Sequence, residues 1–208
     1  GKAKQFIHNS FWLTASTISV VLVGAIYRPI IGRALGPIEY GQYSFILTYT
    51  GYFLLLAVFG IRSVITREIG RNPDTTKSYF NTASKLCLIT STISIILCCS
   101  IAFFLRREYQ VTIGIIAFSI ATLAMAIGEI MTGILIGIHR AIYLAIANIS
   151  GNILKLIFGI WALQCGYGLM GVIWVFVITS TFTTLLSIWF VGIAIRPLKH
   201  YKVKANLT

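Results

Sequence analysis

Five charged side chains lie within otherwise apolar stretches of this 208-residue chain: Arg28, Arg62, Lys85, Glu129 and Lys155. A charge at mid-bilayer costs at least about 2.5–3.5 kcal/mol on insertion scales, so such groups face protein, water or a ligand. Four of the five are cations. Asn148, Asn152 and Lys155 stand at i, i+4 and i+7, which places all three on one helical face. That stripe reads either as interhelical hydrogen bonding or as the lining of a wet lumen, and the lysine favours the lumen. Thr179, Ser180, Thr181, Thr183, Thr184 and Ser187 add hydroxyls further on. A wet, hydroxylated and net cationic interior suits a polar anion. Phosphate or pyrophosphate fits, because a guanidinium forks onto two phosphate oxygens. Arg28, Arg62, Lys155, Asn148 and Asn152 are the candidate contacts. Arg28, Arg62 and Lys85 lie closer to span ends, where a long side chain also reaches the headgroups by snorkelling.

Glu129 needs a partner. At a rise of 1.5 Å per residue it lies roughly 15 Å from the inner end of its helix, a depth comparable to that of Lys85 and roughly 5 Å from that of Lys155. A buried pair of Glu129 with Lys85 or Lys155 is therefore expected. Nothing resembles hydrolytic or transfer chemistry. The five acidic residues are scattered, without Asp-x-Asp or a His/Glu pair at helical spacing. Cys87, Cys98, Cys99 and Cys165 show no CxxC or Cys/His metal spacing, and His8, His139 and His200 are isolated. No catalytic residue, metal or cofactor is expected.

The elements that must position these groups are membrane spans. Residues 156–195 run for forty positions without Asp, Glu, Lys or Arg, about twice the roughly 20 residues a span requires. Hydrophobic residues make up 57% and charged residues 11% of the chain, which rules out an ordinary soluble domain with polar helix faces. The net charge of +12 marks membrane borders rather than a nucleic-acid surface, because the cations sit between apolar runs. The reading is an all-α polytopic membrane protein of six transmembrane helices, at about 6–31, 40–69, 77–105, 111–138, 141–164 and 169–195. Arg33-Ala34-Leu35-Gly36-Pro37, Asn72-Pro73-Asp74 and Gln164-Cys165-Gly166-Tyr167-Gly168 supply the breaks, Asp74 or Thr75 is a helix cap, and Arg196-Pro197 stops the last helix. Gly133 and Gly137 form a GxxxG contact face. With the N-terminus cytoplasmic, ten cations fall inside (Lys2, Lys4, Arg67, Arg71, Lys77, Arg140, Arg196, Lys199, Lys202, Lys204) and three outside (Arg33, Arg106, Arg107). That bias puts both termini in the cytoplasm.

Two segments carry a resemblance. Tyr27-Arg28-Pro29-Ile30-Ile31-Gly32-Arg33-Ala34-Leu35-Gly36-Pro37-Ile38-Glu39-Tyr40-Gly41-Gln42-Tyr43 is similar to the R-x-L-G-P-x-x-Y/F-G-x-Y opening of polysaccharide-repeat flippases, and Gly60–Arg71 resembles their following element, which ends in x-R-E-I-x-R. These are the Wzx-type members of the multidrug/oligosaccharidyl-lipid/polysaccharide exporter superfamily. The resemblance implies a non-enzymatic flippase of the cytoplasmic membrane that moves an isoprenoid-pyrophosphate-linked oligosaccharide by alternating access. It implies two six-helix lobes around a cationic cavity, so this chain is expected to be one lobe, truncated before a second or pairing with a second copy. It gives Arg28 the family's cavity-facing position on the first helix, and Arg62 more weakly. Arg67, Glu68 and Arg71 match the motif at the inner border, where they serve as a gate or contact membrane lipids. Three competing readings remain: a multidrug cation antiporter, which needs membrane carboxylates where only Glu129 is available; a membrane-embedded lipid-sugar transferase, which needs clustered border carboxylates; and a non-transporting assembly subunit.

Overall fold

The computed structural model describes residues 2–72, 76–105 and 107–205. The cap expected at Asp74 or Thr75 and the cation Arg106 lie outside the described residues. All regular structure among the described residues is α-helical: α1 Lys2–Val58, α2 Ile61–Arg71, α3 Thr76–Phe104, α4 Tyr109–Gly137, α5 Ala141–Gln164 and α6 Gly168–Ala205. Among the described residues, five helical segments are long and apolar enough to cross a membrane, the first of them covering Ile7–Arg71.

That first segment is not straight. Gly36 leaves helical geometry at φ 74, ψ 176 and kinks α1 into two arms, 2–35 and 37–58. The cause is local. Pro37 has no N–H and its ring clashes with the carbonyl four residues back, and the residue before a proline is pushed out of the α region. Glycine tolerates the positive φ that results. The break is narrower than the turn expected over 33–37, since Arg33–Leu35 remain helical. A second break was not foreseen. The helix expected over 40–69 is interrupted at Phe59 (φ 34) and Gly60 (φ 75), which sets α2 apart as a short amphipathic helix. α6 also continues past the stop expected at Arg196-Pro197. A proline removes one hydrogen bond and bends a helix without obliging it to end.

The other turns follow capping rules. After α5, the Tyr167 N–H donates to Ala162 O (3.1 Å) and the Gly166 N–H to Leu163 O (3.1 Å), with Gly166 left-handed. After α4, the same paired pattern runs from Arg140 to Leu135 O and from His139 to Ile136 O, with His139 at φ 57 in the glycine position. Two helix starts are capped from α1. The Ala141 N–H donates to Asn9 Oδ1 (2.8 Å), and the Leu169 N–H donates to Glu39 Oε2 (3.2 Å), a carboxylate at a positive helix end.

α4 is the central post. Half of its most apolar window is buried, against 33% or less in the other spans. It packs on α6, α2, α3 and α1, while α5 sits between α1 and α6. Two apolar clusters share it. One joins Tyr27, Ile31, Tyr43 and Ile46 to Ile115, Phe118 and Ile173. The other joins Ile61, Ile65 and Ile69 to Ile130, Ile134 and Leu144. The glycines foreseen as a contact face make the α2–α4 seam. A Cβ at Gly133 would stand 3.0 Å from Arg62 O, and one at Gly137 would stand 3.0 Å from Ile69 Cβ. Thr66 Oγ1 reaches across to Gly133 O (3.2 Å). Many large apolar side chains face outward, among them Val21, Leu55, Phe103 and Trp189, as expected of a surface covered by lipid.

Candidate functional site: two joined polar cavities

Two cavities meet inside the bundle. The larger, about 530 Å³, lies among both arms of α1, α5 and α6, and Arg28, Tyr40, Tyr43, Ser44 and Thr48 contribute to its wall. The smaller, about 240 Å³, lies among α4, α5 and α6. Asn152, Lys155 and Phe176 line both. Two members of the α5 stripe read from the sequence, Asn152 and Lys155, thus stand between the two spaces.

The structure gives that stripe both of its readings at once. Asn148 Nδ2 donates to Ser16 Oγ of α1 (2.9 Å), which is interhelical bonding, and the residue also lines the smaller cavity. Lys155 is held by aromatic faces. Its Nζ lies 4.4 Å from the ring centroid of Phe176 and 5.5 Å from that of Tyr27. Such contacts stabilise a desolvated ammonium without a counter-charge. Tyr27 itself is buried, with its hydroxyl unbonded against Gly159, where a side chain would collide with it. Arg28 is exposed on the wall of the larger cavity, and among the described residues no carboxylate lies within 4 Å of it.

Glu129 is paired, but with a different cation from those expected. Arg62 Nη1 contacts Glu129 Oε2 at 3.4 Å. The α2–α4 seam decides this, since the glycines bring Arg62 beside Glu129. Lys85 stands two residues from the buried Cys87, roughly 200° around α3, and is exposed. Lys155 lines the same cavity as Glu129 but turns to its aromatic partners. Arg62 is therefore committed to a carboxylate rather than free for a ligand. Both groups are partly exposed, at 46% and 36% of their side chains. A double-mutant cycle with Arg62→Ala and Glu129→Gln, followed by thermal unfolding in detergent, should return a coupling of about 0.2–1 kcal/mol, the range for accessible ion pairs. A coupling near zero would mean that the pair holds nothing together.

The motif residues at the end of α2 form their own cluster. Glu68 accepts from Arg67 Nε (3.1 Å) and Tyr79 Oη (3.5 Å), with Arg71 at 3.9 Å. Arg67 and Arg71 stay largely exposed. Sequence reading missed the aromatic part of the site: Tyr27, Tyr40, Tyr43 and Phe176. The one signal was the i, i+3 spacing of Tyr40 and Tyr43, which an apolar helix also shows for packing alone. It also undervalued the α6 hydroxyls, of which Thr179, Ser180, Thr183, Thr184 and Ser187 line the smaller cavity.

These features define a multi-pass α-helical membrane protein with a cationic, hydroxyl-lined interior. The chain belongs to the polysaccharide biosynthesis protein family, whose model matches residues 6–208, far beyond the two segments that carried the resemblance. Its involvement in polysaccharide biosynthesis follows from that membership. No curated protein and no solved structure matches the chain.

Proposed function

We propose that this chain is a six-span lobe of a Wzx-type flippase, a transporter rather than an enzyme, that carries an isoprenoid-pyrophosphate-linked oligosaccharide across the cytoplasmic membrane. One observation carries the reading. Arg28 and Lys155, from different helices, line one cavity of about 530 Å³ to which no Asp or Glu contributes. Two cations facing a shared space without a carboxylate are arranged to receive an anion. Glu129, the one carboxylate of the spans, is engaged by Arg62, which leaves a cation-coupled antiporter without its coupling group.

The packing supports six crossings. The Gly36 kink and the start of α6 meet through Glu39 and Leu169, and Gln42 Nε2 donates to Glu108 Oε2 (2.5 Å) beside the start of α4. Asn9 meets the start of α5, and Gly70 lies against the end of α4. The first arm of α1 thus runs from one end of the bundle to the other, and the second arm with α2 runs back. In this reading both termini are cytoplasmic, a second lobe or a second copy completes the cavity, and membrane lipids surround the rest.

The test is complementation of a strain lacking its own flippase by the complete gene. Surface glycan should return, and lipid-linked repeat units should stop accumulating on the cytoplasmic side. Reporter fusions after Pro37, Glu108 and Gly166 should read outside, and those after Asp74, Arg140 and Lys204 inside. Restored glycan synthesis without a change in the sidedness of the lipid-linked units would point to an assembly role instead.

A further inference from the structure

The smaller cavity has a chemical bias of its own. Thr179 Oγ1 donates to Val175 O (2.7 Å), Thr183 Oγ1 to Thr179 O (2.8 Å), Ser187 Oγ to Thr183 O (2.9 Å) and Thr184 Oγ1 to Ala124 O (2.9 Å). Each of these four hydroxyls has spent its one proton on a backbone carbonyl, and what remains on each oxygen is acceptor capacity. All four residues line the cavity. One N–H of the Asn148 amide donates to Ser16, leaving the second N–H and the carbonyl oxygen, and Glu129 adds a carboxylate of which Arg62 contacts one oxygen. The wall is thus rich in acceptors, with the second Asn148 N–H, the Asn152 amide and the Lys155 ammonium as donors beside them, and such a polar wall inside a membrane suits a ligand that carries many hydroxyls.

Two kinds of ligand supply donors or positive charge: a hydroxylated molecule and a metal cation. The position of Lys155 decides between them. Its ammonium borders this cavity as well as the larger one, so a second cation meets repulsion in a low-dielectric setting. A neutral polyol meets none. We infer that the α4–α5–α6 cavity is a sugar subsite, in which the acceptor oxygens of α6 receive the hydroxyl protons of one sugar ring of the cargo. This deepens the proposed function and rests on it. The layout matches the cargo's own connectivity. A sugar joined to a pyrophosphate must sit directly beside it, and the acceptor-rich cavity adjoins the Arg28 cavity through Asn152, Lys155 and Phe176. The volume of about 240 Å³ admits a single ring, so the remaining sugars of a repeat unit stay outside it.

The test is a binding comparison with the complete protein in nanodiscs. The probes are an isoprenyl pyrophosphate alone and the same lipid carrying glucose, galactose or N-acetylglucosamine. At least one glycosylated lipid should bind more tightly than the bare one. In Thr179→Val with Thr183→Val, which keeps side-chain volume and removes two acceptors, that preference should shrink by about tenfold, as two ordinary hydrogen bonds imply. Thr181→Val, whose side chain is exposed on another face of α6, should keep the full preference and shows that the helix tolerates the change. If the bare lipid binds and no sugar improves it, or if the double variant keeps the full preference, the subsite is wrong while the flippase reading stands. If the bare lipid does not bind at all, both fall.

Discussion

Replacing Arg28 by alanine is expected to cut surface glycan to less than a tenth of the unmutated level, with normal amounts of protein in the membrane. Arg28 lies exposed on a cavity wall with no carboxylate within 4 Å among the described residues, so its removal breaks no ion pair of the fold. The loss then falls on the ligand. A hydrogen bond to a charged group contributes about 1.5–3 kcal/mol, roughly 10–150-fold in affinity. A pyrophosphate held by a forked guanidinium loses two such bonds. Lysine keeps the charge as a single point, so Arg28→Lys should retain part of the activity. Lys155, already engaged with two aromatic rings, is placed to attract the anion but not to replace the fork. The measurement is glycan display by cells carrying each variant of the complete gene, normalised to membrane protein. Display by Arg28→Ala at the unmutated level would remove the assigned role and leave Arg28 as an arginine reaching for headgroups.

Gly133→Leu should damage the fold by forcing the α2–α4 seam apart. The first atom it adds stands 3.0 Å from the Arg62 carbonyl oxygen and 3.1 Å from Ile65 Cγ2. A backbone carbonyl cannot turn aside as a flexible side chain can, so α2 must move away from α4. Overpacking of this kind costs about 1–3 kcal/mol, and here the shift also strains the Thr66 bond to Gly133 and the Arg62–Glu129 pair. A loss of about 1–2 kcal/mol already changes abundance several-fold. Gly133→Ala meets the same carbonyl but adds no further atoms, so a shift of a few tenths of an ångström relieves it and its loss should be smaller than that of Gly133→Leu. Membrane protein level and melting temperature in detergent separate these cases. A Gly133→Leu protein as abundant and as heat-stable as the unmutated one would show that the seam is loose.

The legibility of this chain differed sharply between spans and site. Helix type, and the limits of α3, α4 and α5 to within two residues, followed from apolar runs bounded by charge or turn residues. Membrane helices are legible in this way because lipid demands length and low charge of each one separately. The Gly36 kink was legible because Pro37 acts on its immediate neighbours. The Phe59–Gly60 break was not, since a lone glycine in an apolar helix is common and the packing of α2 on α4 settles its meaning. The α5 stripe was legible as a helical face, but not what stood opposite it.

The sequence by itself determined which groups had to be reckoned with: four cations and one carboxylate in apolar surroundings, a polar stripe on α5, and two glycines four residues apart. These are properties of composition and helical spacing. Tertiary structure alone decided who meets whom. Depth along a helix made Lys85 and Lys155 reasonable partners for Glu129, yet depth is one coordinate of three. The rotation of α3 turns Lys85 away, two aromatic rings hold Lys155, and the glycine seam delivers Arg62. The same reason hid the aromatic wall of the larger cavity and the acceptor bias of the smaller one, because both arise where several helices converge.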